Sequence, residues 1–230
     1  VFPFLGEDKV LLGDLATGLY IIDVSTKNWV ADFDGDDRTD YSVFNVTSNS
    51  WVIENSSNSS ATNVPFGFTT DTLTPGDYDG DGKTDMAIFR PSTGTWWIRR
   101  SSNPGNFQAI QFGIDGDIPV AGDYDGDNRT DQAVFRPSTG IWYINQSTGG
   151  FKTSQFGIAT DKPVIGDYDS DRKTDIAVFR PSNGVWYILN SSNSAVQYQQ
   201  FGLATDLPVA ADFNGNGVTD IAVYRPATGV

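Results

Sequence analysis

Cysteine and histidine are both absent from this 230-residue chain. Without cysteine there is no disulfide framework, so stability has to come from packing or from bound metal. Without histidine there is no Ser-His-Asp or Cys-His catalysis, and none of the usual zinc sites. No run of 18 apolar residues occurs, so no segment reads as a membrane span. Basic residues are few, 15 Lys and Arg against 29 Asp and Glu, and they form no stripe, which argues against a nucleic-acid partner. Helical periodicity is nearly missing as well. Short or alternating apolar runs are interrupted every few residues by Gly, Pro, Asn, Asp and Ser, which is the punctuation of an all-β chain. No signal peptide is visible, and because the first residue is Val1, a mature or trimmed form is expected.

What the chain does have is one nine-residue acidic stretch repeated five times. Its clearest copy is Asp77-Tyr-Asp-Gly-Asp-Gly-Lys-Thr-Asp85, and the others are Asp32–Asp40, Asp123–Asp131, Asp167–Asp175 and Asp212–Asp220. The first aspartates lie 45, 46, 44 and 45 residues apart, the fixed period of a repeat architecture. Positions 1, 3, 5 and 9 of these loops hold 18 of the 29 acidic residues, so the net charge of −14 is mostly loop charge. Five bound divalent ions would bring that charge to −4, and the acidity reads first as a metal requirement.

Residues 117–160 show the unit. Ile118–Gly122 predicts a strand leading into the acidic loop and Gln132–Phe135 a strand leaving it. Arg136-Pro-Ser-Thr-Gly140 is a turn in which proline presets φ and glycine is free to take φ > 0. Ile141–Asn145 and Phe151–Phe156 predict a third and fourth strand, and four short strands per repeat make one propeller blade. The repeats run approximately 28–70, 71–116, 117–160, 161–205 and 206–230. The last has only two strands, and residues 1–27 offer strand material at Val10–Leu12 and Leu19–Ile22. The expected fold is therefore a single-domain, five-bladed β-propeller in which residues 1–27 complete the last blade and leave few open edges. The likeness of Ala16-Thr-Gly18 to Ala227-Thr-Gly229 leaves a second reading open, a decayed extra blade.

The loops have the chemistry of calcium, which takes six to eight oxygen ligands at flexible distances. The candidate ligands are side chains at 1, 3, 5 and 9 with the backbone carbonyl at 7. They are Asp32, Asp34, Asp36, Arg38 and Asp40; Asp77, Asp79, Asp81, Lys83 and Asp85; Asp123, Asp125, Asp127, Arg129 and Asp131; Asp167, Asp169, Asp171, Lys173 and Asp175; and Asp212, Asn214, Asn216, Val218 and Asp220. Position 6 should carry the sharp bend; it is glycine only at Gly82 and Gly217, with Asp37, Asn128 and Arg172 elsewhere. The second loop is expected to bind tightest and the fifth, with two carboxylates, weakest. Affinities on the order of 10⁻⁴–10⁻³ M keep such sites filled outside cells and empty in cytosol, which argues for a secreted chain.

Residues 76–98, Gly-Asp-Tyr-Asp-Gly-Asp-Gly-Lys-Thr-Asp-Met-Ala-Ile-Phe-Arg-Pro-Ser-Thr-Gly-Thr-Trp-Trp-Ile, resemble the FG-GAP/VCBS-type repeats of secreted and surface proteins, related to the integrin alpha-chain propeller. The resemblance extends over residues 28–230. It implies a calcium-binding propeller used in adhesion, cell-surface recognition or carbohydrate binding, with the ligands at the positions named above. Asn214 and Asn216 depart from the pattern. The leading expectation is a non-enzymatic extracellular module whose partner is a protein or glycan ligand. A second is a filament subunit joined head-to-tail with copies of itself through incomplete blade ends. A third is a glycan-active enzyme. That chemistry needs a spaced carboxylate pair, and the acids outside the ligand positions form no unrepeated one.

Three recurrent sets remain. The aromatics Trp96, Trp97, Trp142, Tyr143, Trp186 and Tyr187 fit packing between blades, or stacking on sugar rings. Arg90, Arg136, Arg180 and Arg225 fit pairing with acidic neighbours, as a structural bridge or in a stacking role, or a position facing a ligand. Asp71, Asp117, Asp161 and Asp206, each six residues before a loop, fit turns tied by side-chain acceptors. The sequons at Asn45, Asn55, Asn58, Asn145 and Asn190 are candidate glycosylation sites.

Overall fold

The computed structural model describes residues 9–14, 18–23 and 31–226, and among them there is no helix. Two hairpin-like pairs flank the series: β1 (Lys9–Asp14) with β2 (Gly18–Asp23), and β18 (Leu207–Pro208) with β19 (Val223–Tyr224). Between them lies a three-stranded sheet of β3 (Tyr41–Asn45), β4 (Ser50–Glu54) and β5 (Ala61–Pro65). Three four-stranded antiparallel sheets follow. They are β6 (Thr72–Leu73) to β9 (Gln108–Gln111), β10 (Ile118–Pro119) to β13 (Gly150–Gln155), and β14 (Lys162–Pro163) to β17 (Val196–Gln200). Their middle strands are β7 (Met86–Arg90) and β8 (Thr95–Arg99), β11 (Gln132–Arg136) and β12 (Ile141–Gln146), and β15 (Ile176–Arg180) and β16 (Val185–Leu189). Each repeat thus folds as one up-and-down sheet in sequence order, as the strand pattern predicts.

Alternation along the third strand divides the work of its two faces. In β8, Trp96 and Ile98 are buried while Thr95, Trp97 and Arg99 are half-buried. The buried face packs on the following sheet. Trp96, Phe89 and Ile98 of the second repeat meet Val134 and Tyr143 of the third, and Trp142, Phe135 and Ile144 of the third meet Val178 and Tyr187 of the fourth. Trp51 and Ile53 pack likewise on Ile88, Met86 and Trp97. The core is therefore a series of sheet-to-sheet seams. Each seam tryptophan also donates its indole N–H to the carbonyl of the Phe that ends its repeat: Trp51 to Phe66 at 3.1 Å, Trp96 to Phe112 at 2.8 Å, Trp142 to Phe156 at 2.8 Å and Trp186 to Phe201 at 2.9 Å.

The recurrent arginines and aspartates prove to be each other's partners, 19 residues apart. Arg90, Arg136, Arg180 and Arg225 fork onto Asp71, Asp117, Asp161 and Asp206 through Nε and Nη2 at 2.7–2.9 Å. Each of these carboxylates also accepts the backbone N–H three residues before it, at 2.9–3.0 Å. The planar fork of arginine suits this double contact, and its open face covers an aromatic ring: Arg136 lies 4.3 Å from the centre of Tyr143 and Arg180 lies 4.4 Å from that of Tyr187.

At the ends, the described residues show no strand pairing between the amino-terminal and last sheets. Val10–Leu12 and Leu19–Ile22 do lie in strands, but β1 and β2 pair only with each other, and β18 and β19 likewise. Among the described residues no hydrogen-bonded ladder joins these two sheets. Residues 1–8, 15–17, 24–30 and 227–230, where further parts of that closure would fall, lie outside the described residues.

Candidate metal centre

Each acidic loop is wound around the carboxylate at position 1. Asp77 Oδ1 accepts the N–H of Gly80 at 2.6 Å and of Asp81 at 3.3 Å, and Oδ2 accepts that of Gly82 at 2.9 Å. Asp32, Asp123, Asp167 and Asp212 do the same in their loops. To aim three successive N–H groups at one carboxylate, the backbone turns left-handed twice. Position 6 has φ of 61° at Asp37, 83° at Gly82, 64° at Asn128, 67° at Arg172 and 82° at Gly217, as the bend requires. Position 4 is left-handed too, and sequence reasoning missed it, although glycine stands there in four copies. The exception is Ser170, with φ 68°, so the fourth loop holds two side chains, Ser170 and Arg172, in a region that disfavours them. Ser170→Gly and Arg172→Gly are each expected to stabilise the protein by about 1 kcal/mol, read as a rise in the urea midpoint.

The remaining ligand positions are tied with the same regularity. Position 5 takes the N–H of position 7: Asp36 that of Arg38, Asp81 that of Lys83, Asp127 that of Arg129 and Asp171 that of Lys173, all at 2.9–3.0 Å. Position 9 takes the N–H of position 2 through Oδ2, as Asp85 does from Tyr78 at 2.9 Å. Its other oxygen reaches across to the turn after the third strand. Asp40, Asp85, Asp131 and Asp175 accept the N–H of Ser56, Ser101, Ser147 and Ser191 at 2.6–2.7 Å. The hydroxyls of those serines bond Asp36, Asp81, Asp127 and Asp171 at position 5. The next hydroxyls, of Ser57, Ser102, Thr148 and Ser192, bond Asp34, Asp79, Asp125 and Asp169 at position 3. This Ser-Ser/Thr clamp was not anticipated. Its signal was available, because the pair begins 24 residues after the first aspartate in each of the four copies.

The loops are also strung together. The N–H of the position-8 threonine donates to the carbonyl of the preceding loop's first aspartate: Thr84 to Asp32, Thr130 to Asp77, Thr174 to Asp123 and Thr219 to Asp167, at 2.6–2.7 Å. The threonine side chain fills the space beside Gly76, Gly122 and Gly166, where an added Cβ would stand within 2.4–2.6 Å of it. That close approach accounts for the Gly-Asp start of the middle loops. Lys83 also lies over the loop before it and donates Nζ to the carbonyl of Asp34 at 2.8 Å.

Four loops bring three carboxylates together with ligand oxygens within 4.8 Å of one another: Asp32, Asp34 and Asp36; Asp77, Asp79 and Asp85; Asp123, Asp125 and Asp127; Asp167, Asp169 and Asp175. Whether a cation fits is decided by the oxygens left over. In the second, third and fourth loops Oδ1 of Asp79, Asp125 and Asp169 is buried and has no hydrogen-bond partner. A buried carboxylate oxygen without a donor is costly, and a cation is the partner this donor set suits. Burial pushes the Asp85 and Asp131 carboxyls up to about 6, and it also raises Asp32, Asp77, Asp123 and Asp175. Asp34 is lowered by the Ser57 hydroxyl, and Asp125 is lowered despite its burial by Thr148 and Gly149. The fifth loop is different. Asn214 turns its Nδ2 onto both oxygens of Asp220, at 3.1 and 3.0 Å, and so places an amide donor against a carboxylate at a candidate ligand position.

A family model for the FG-GAP-like repeat matches residues 77–134 and 167–223, together half of the chain. The chain belongs to the FG-GAP-like repeat family. No curated protein matches the FG-GAP chain in sequence. Among solved structures, it is similar to one titled for specific recognition of non-reducing terminal N-acetylglucosamine by an Agrocybe aegerita lectin. That match has 16% identity, covers 94% of this chain and 68% of that one, and has a TM-score of 0.60. It is also similar to virginiamycin B lyase from Staphylococcus aureus (11% identity, 86% and 64% covered, TM-score 0.56) and to a streptogramin B lyase (9%, 94% and 66%, 0.55). The FG-GAP chain thus spans about two thirds of each of these proteins. At such identities the likeness concerns fold alone: an all-β, propeller-like series of four-stranded sheets.

Of the sequons in this FG-GAP chain, Asn45 and Asn58 are exposed and Asn55 is half-buried. Asn145 spends its Nδ2 on Gln132 at 2.8 Å, and Asn190 is buried against Gln197. A glycan is linked through that amide nitrogen, so the latter two are poorly placed to carry one in the folded protein.

Proposed function

We propose that this FG-GAP protein is a non-enzymatic, extracellular recognition module: one five-bladed propeller, closed by residues 1–27, whose acidic loops hold calcium. The buried, donorless oxygens of Asp79, Asp125 and Asp169 carry the metal part of this reading. In it Asp77, Asp79, Asp81 and Asp85 hold one ion and the equivalent residues hold the others, with the fifth loop weakest because Asn214 already occupies Asp220. Calcium supplies charge neutralisation to clustered carboxylates. The protein's own residues shape the loop and clamp it to its sheet through the serine pair. Millimolar affinity of such loops suits a chain that works outside cells. Family membership and likeness to a lectin support recognition, and a glycan is favoured over a protein ligand on the second ground. The similar folds of lyases are no argument for catalysis, since unrelated functions share such scaffolds. The four aspartates Asp71, Asp117, Asp161 and Asp206, the other repeated acids, are consumed by arginine forks.

A glycan array probed in 5 mM calcium and again in chelator tests the reading. Calcium-dependent retention without turnover of the retained glycan is expected. Cleavage of a retained glycan would overturn the non-enzymatic reading, and retention of nothing would overturn recognition of carbohydrate.

A further inference from the structure

The seam between the first and second sheets differs from the one that follows it. Between the second and third sheets, Phe112 meets Phe151 edge-to-face with ring centres 6.2 Å apart. Their counterparts one repeat earlier are Phe66 and Phe107, and these line an open groove of about 400 Å³. Trp97 and Phe107 form one side of it, 5.5 Å apart, and Arg90 joins Phe68 to them, 4.6 Å from the Phe68 ring centre and 5.4 Å from that of Trp97. Polar groups of the β3–β4 turn, Ser48 and Asn49, complete it. The Trp97 indole N–H is shielded from water and has no hydrogen-bond partner, unlike the indoles of the four seam tryptophans.

A second space of about 250 Å³ lies between the same two sheets nearer the loop end, and Lys83, Arg99 and Arg100 are among the residues that line it. Arg99 and Trp97 share one face of β8 and lie about 7 Å apart along it. Three cations around one space are unusual in a chain of net charge −14. Their side chains donate to neutral oxygens: Lys83 to the Asp34 carbonyl, Arg99 Nε to the Pro104 carbonyl at 2.7 Å, and Arg100 Nη2 to Gln108 at 2.9 Å. Among the described residues none of the three forms an ion pair with a carboxylate, whereas each repeated arginine of the forks does. The third and fourth repeats carry Asn145 and Gln146, and Leu189 and Asn190, where this one has Arg99 and Arg100. The cationic end is therefore a property of one seam and not of the repeat.

We infer that these two spaces, bridged by the Trp97 and Arg99 face of β8, bind one acidic oligosaccharide, with one sugar ring laid on Trp97 and Phe107 and an adjacent carboxylate or sulfate held by Arg99 and Arg100. An aromatic wall takes the apolar face of a pyranose, Ser48 and Asn49 offer partners to its hydroxyls, and guanidinium groups grip an oxyanion two-handed. The inference rests on the recognition reading and names its ligand class and its site.

The test is a calorimetric titration with tetragalacturonate and with neutral cellotetraose, both at one fixed calcium concentration. Tetragalacturonate is expected to bind and cellotetraose to bind at least about tenfold more weakly. Arg99→Gln combined with Arg100→Gln should weaken tetragalacturonate by about tenfold and leave calcium-dependent melting unchanged. Trp97→Ala should weaken it similarly, while Tyr198→Ala, at an exposed aromatic of the fourth sheet, should not. Tetragalacturonate bound equally by all variants would overturn this site while recognition stands. Equal binding of the two saccharides would overturn the role of the cations. No binding of either would overturn the ligand class, and the glycan array then decides the wider reading by itself.

Discussion

Calcium at 10 mM is expected to raise the melting temperature of the protein by at least about 10 °C over its chelated form. With affinities on the order of 10⁻⁴–10⁻³ M, each filled loop adds about 1.4–2.7 kcal/mol at that concentration. Four loops have the three-carboxylate cluster, so the sum is about 6–11 kcal/mol, comparable with the whole stability of many domains. The effect has a pH signature. Asp85 and Asp131 titrate near 6 in the folded chain because they are buried, above their value in the unfolded one. At these two groups the folded state binds protons more tightly, so in chelator their contribution to stability is full at low pH and is lost as pH rises through 6. The difference between calcium and chelator should accordingly be widest at pH 7.5 and narrow toward pH 5. Titration should find four strong equivalents of calcium, and Asn214→Asp should add a fifth by exchanging an amide donor for a ligand. A melting temperature indifferent to chelator, or five equal sites in the native chain, would refute this account.

Trp142→Ala is expected to cost about 3–5 kcal/mol, read from the urea midpoint. Trp142 is fully buried at the seam between the third and fourth sheets, 5.5 Å from the Phe135 ring and within the cluster that includes Val178. Truncation opens a cavity that two sheets held by backbone ladders cannot collapse, and it strips the Phe156 carbonyl of its indole donor. Trp142→Phe should cost less than the alanine, since it keeps most of the packing and loses the hydrogen bond. Because each sheet is stabilised largely by its neighbours, loss at a central seam should lower the cooperativity of unfolding as well as its midpoint. A change of less than about 1 kcal/mol would mean that the seam is not where the stability lies.

Much of this was open to reading from residue order, and the reason is locality. An acidic loop of nine residues is wound by hydrogen bonds that span three to seven positions, so its Asp, Gly and Thr pattern states its own geometry. Strands that pair with the next strand in sequence are likewise visible as alternation between turns. The left-handed bend at position 4 is not evident from the sequence, because Asp-Gly is also ordinary turn chemistry, and the φ of Ser170 reveals it. The arginines and aspartates were both noticed, and neither was assigned to the other, because a separation of 19 residues becomes a contact only once the first and second strands pair.

The sequence by itself determined the repeat, its all-β unit, the acidic loops and the fifth loop's shortage of carboxylates, since each depends on groups within one short segment. Only the tertiary structure decided which groups serve one another across segments. The serine pair reaches the loop because the third strand ends beside it. Phe66 and Phe107 line an open groove beside Trp97, whereas their counterparts Phe112 and Phe151 in the next seam meet edge-to-face. Such relations depend on distances through space, which follow from how the sheets pack against one another and from no single stretch of residues.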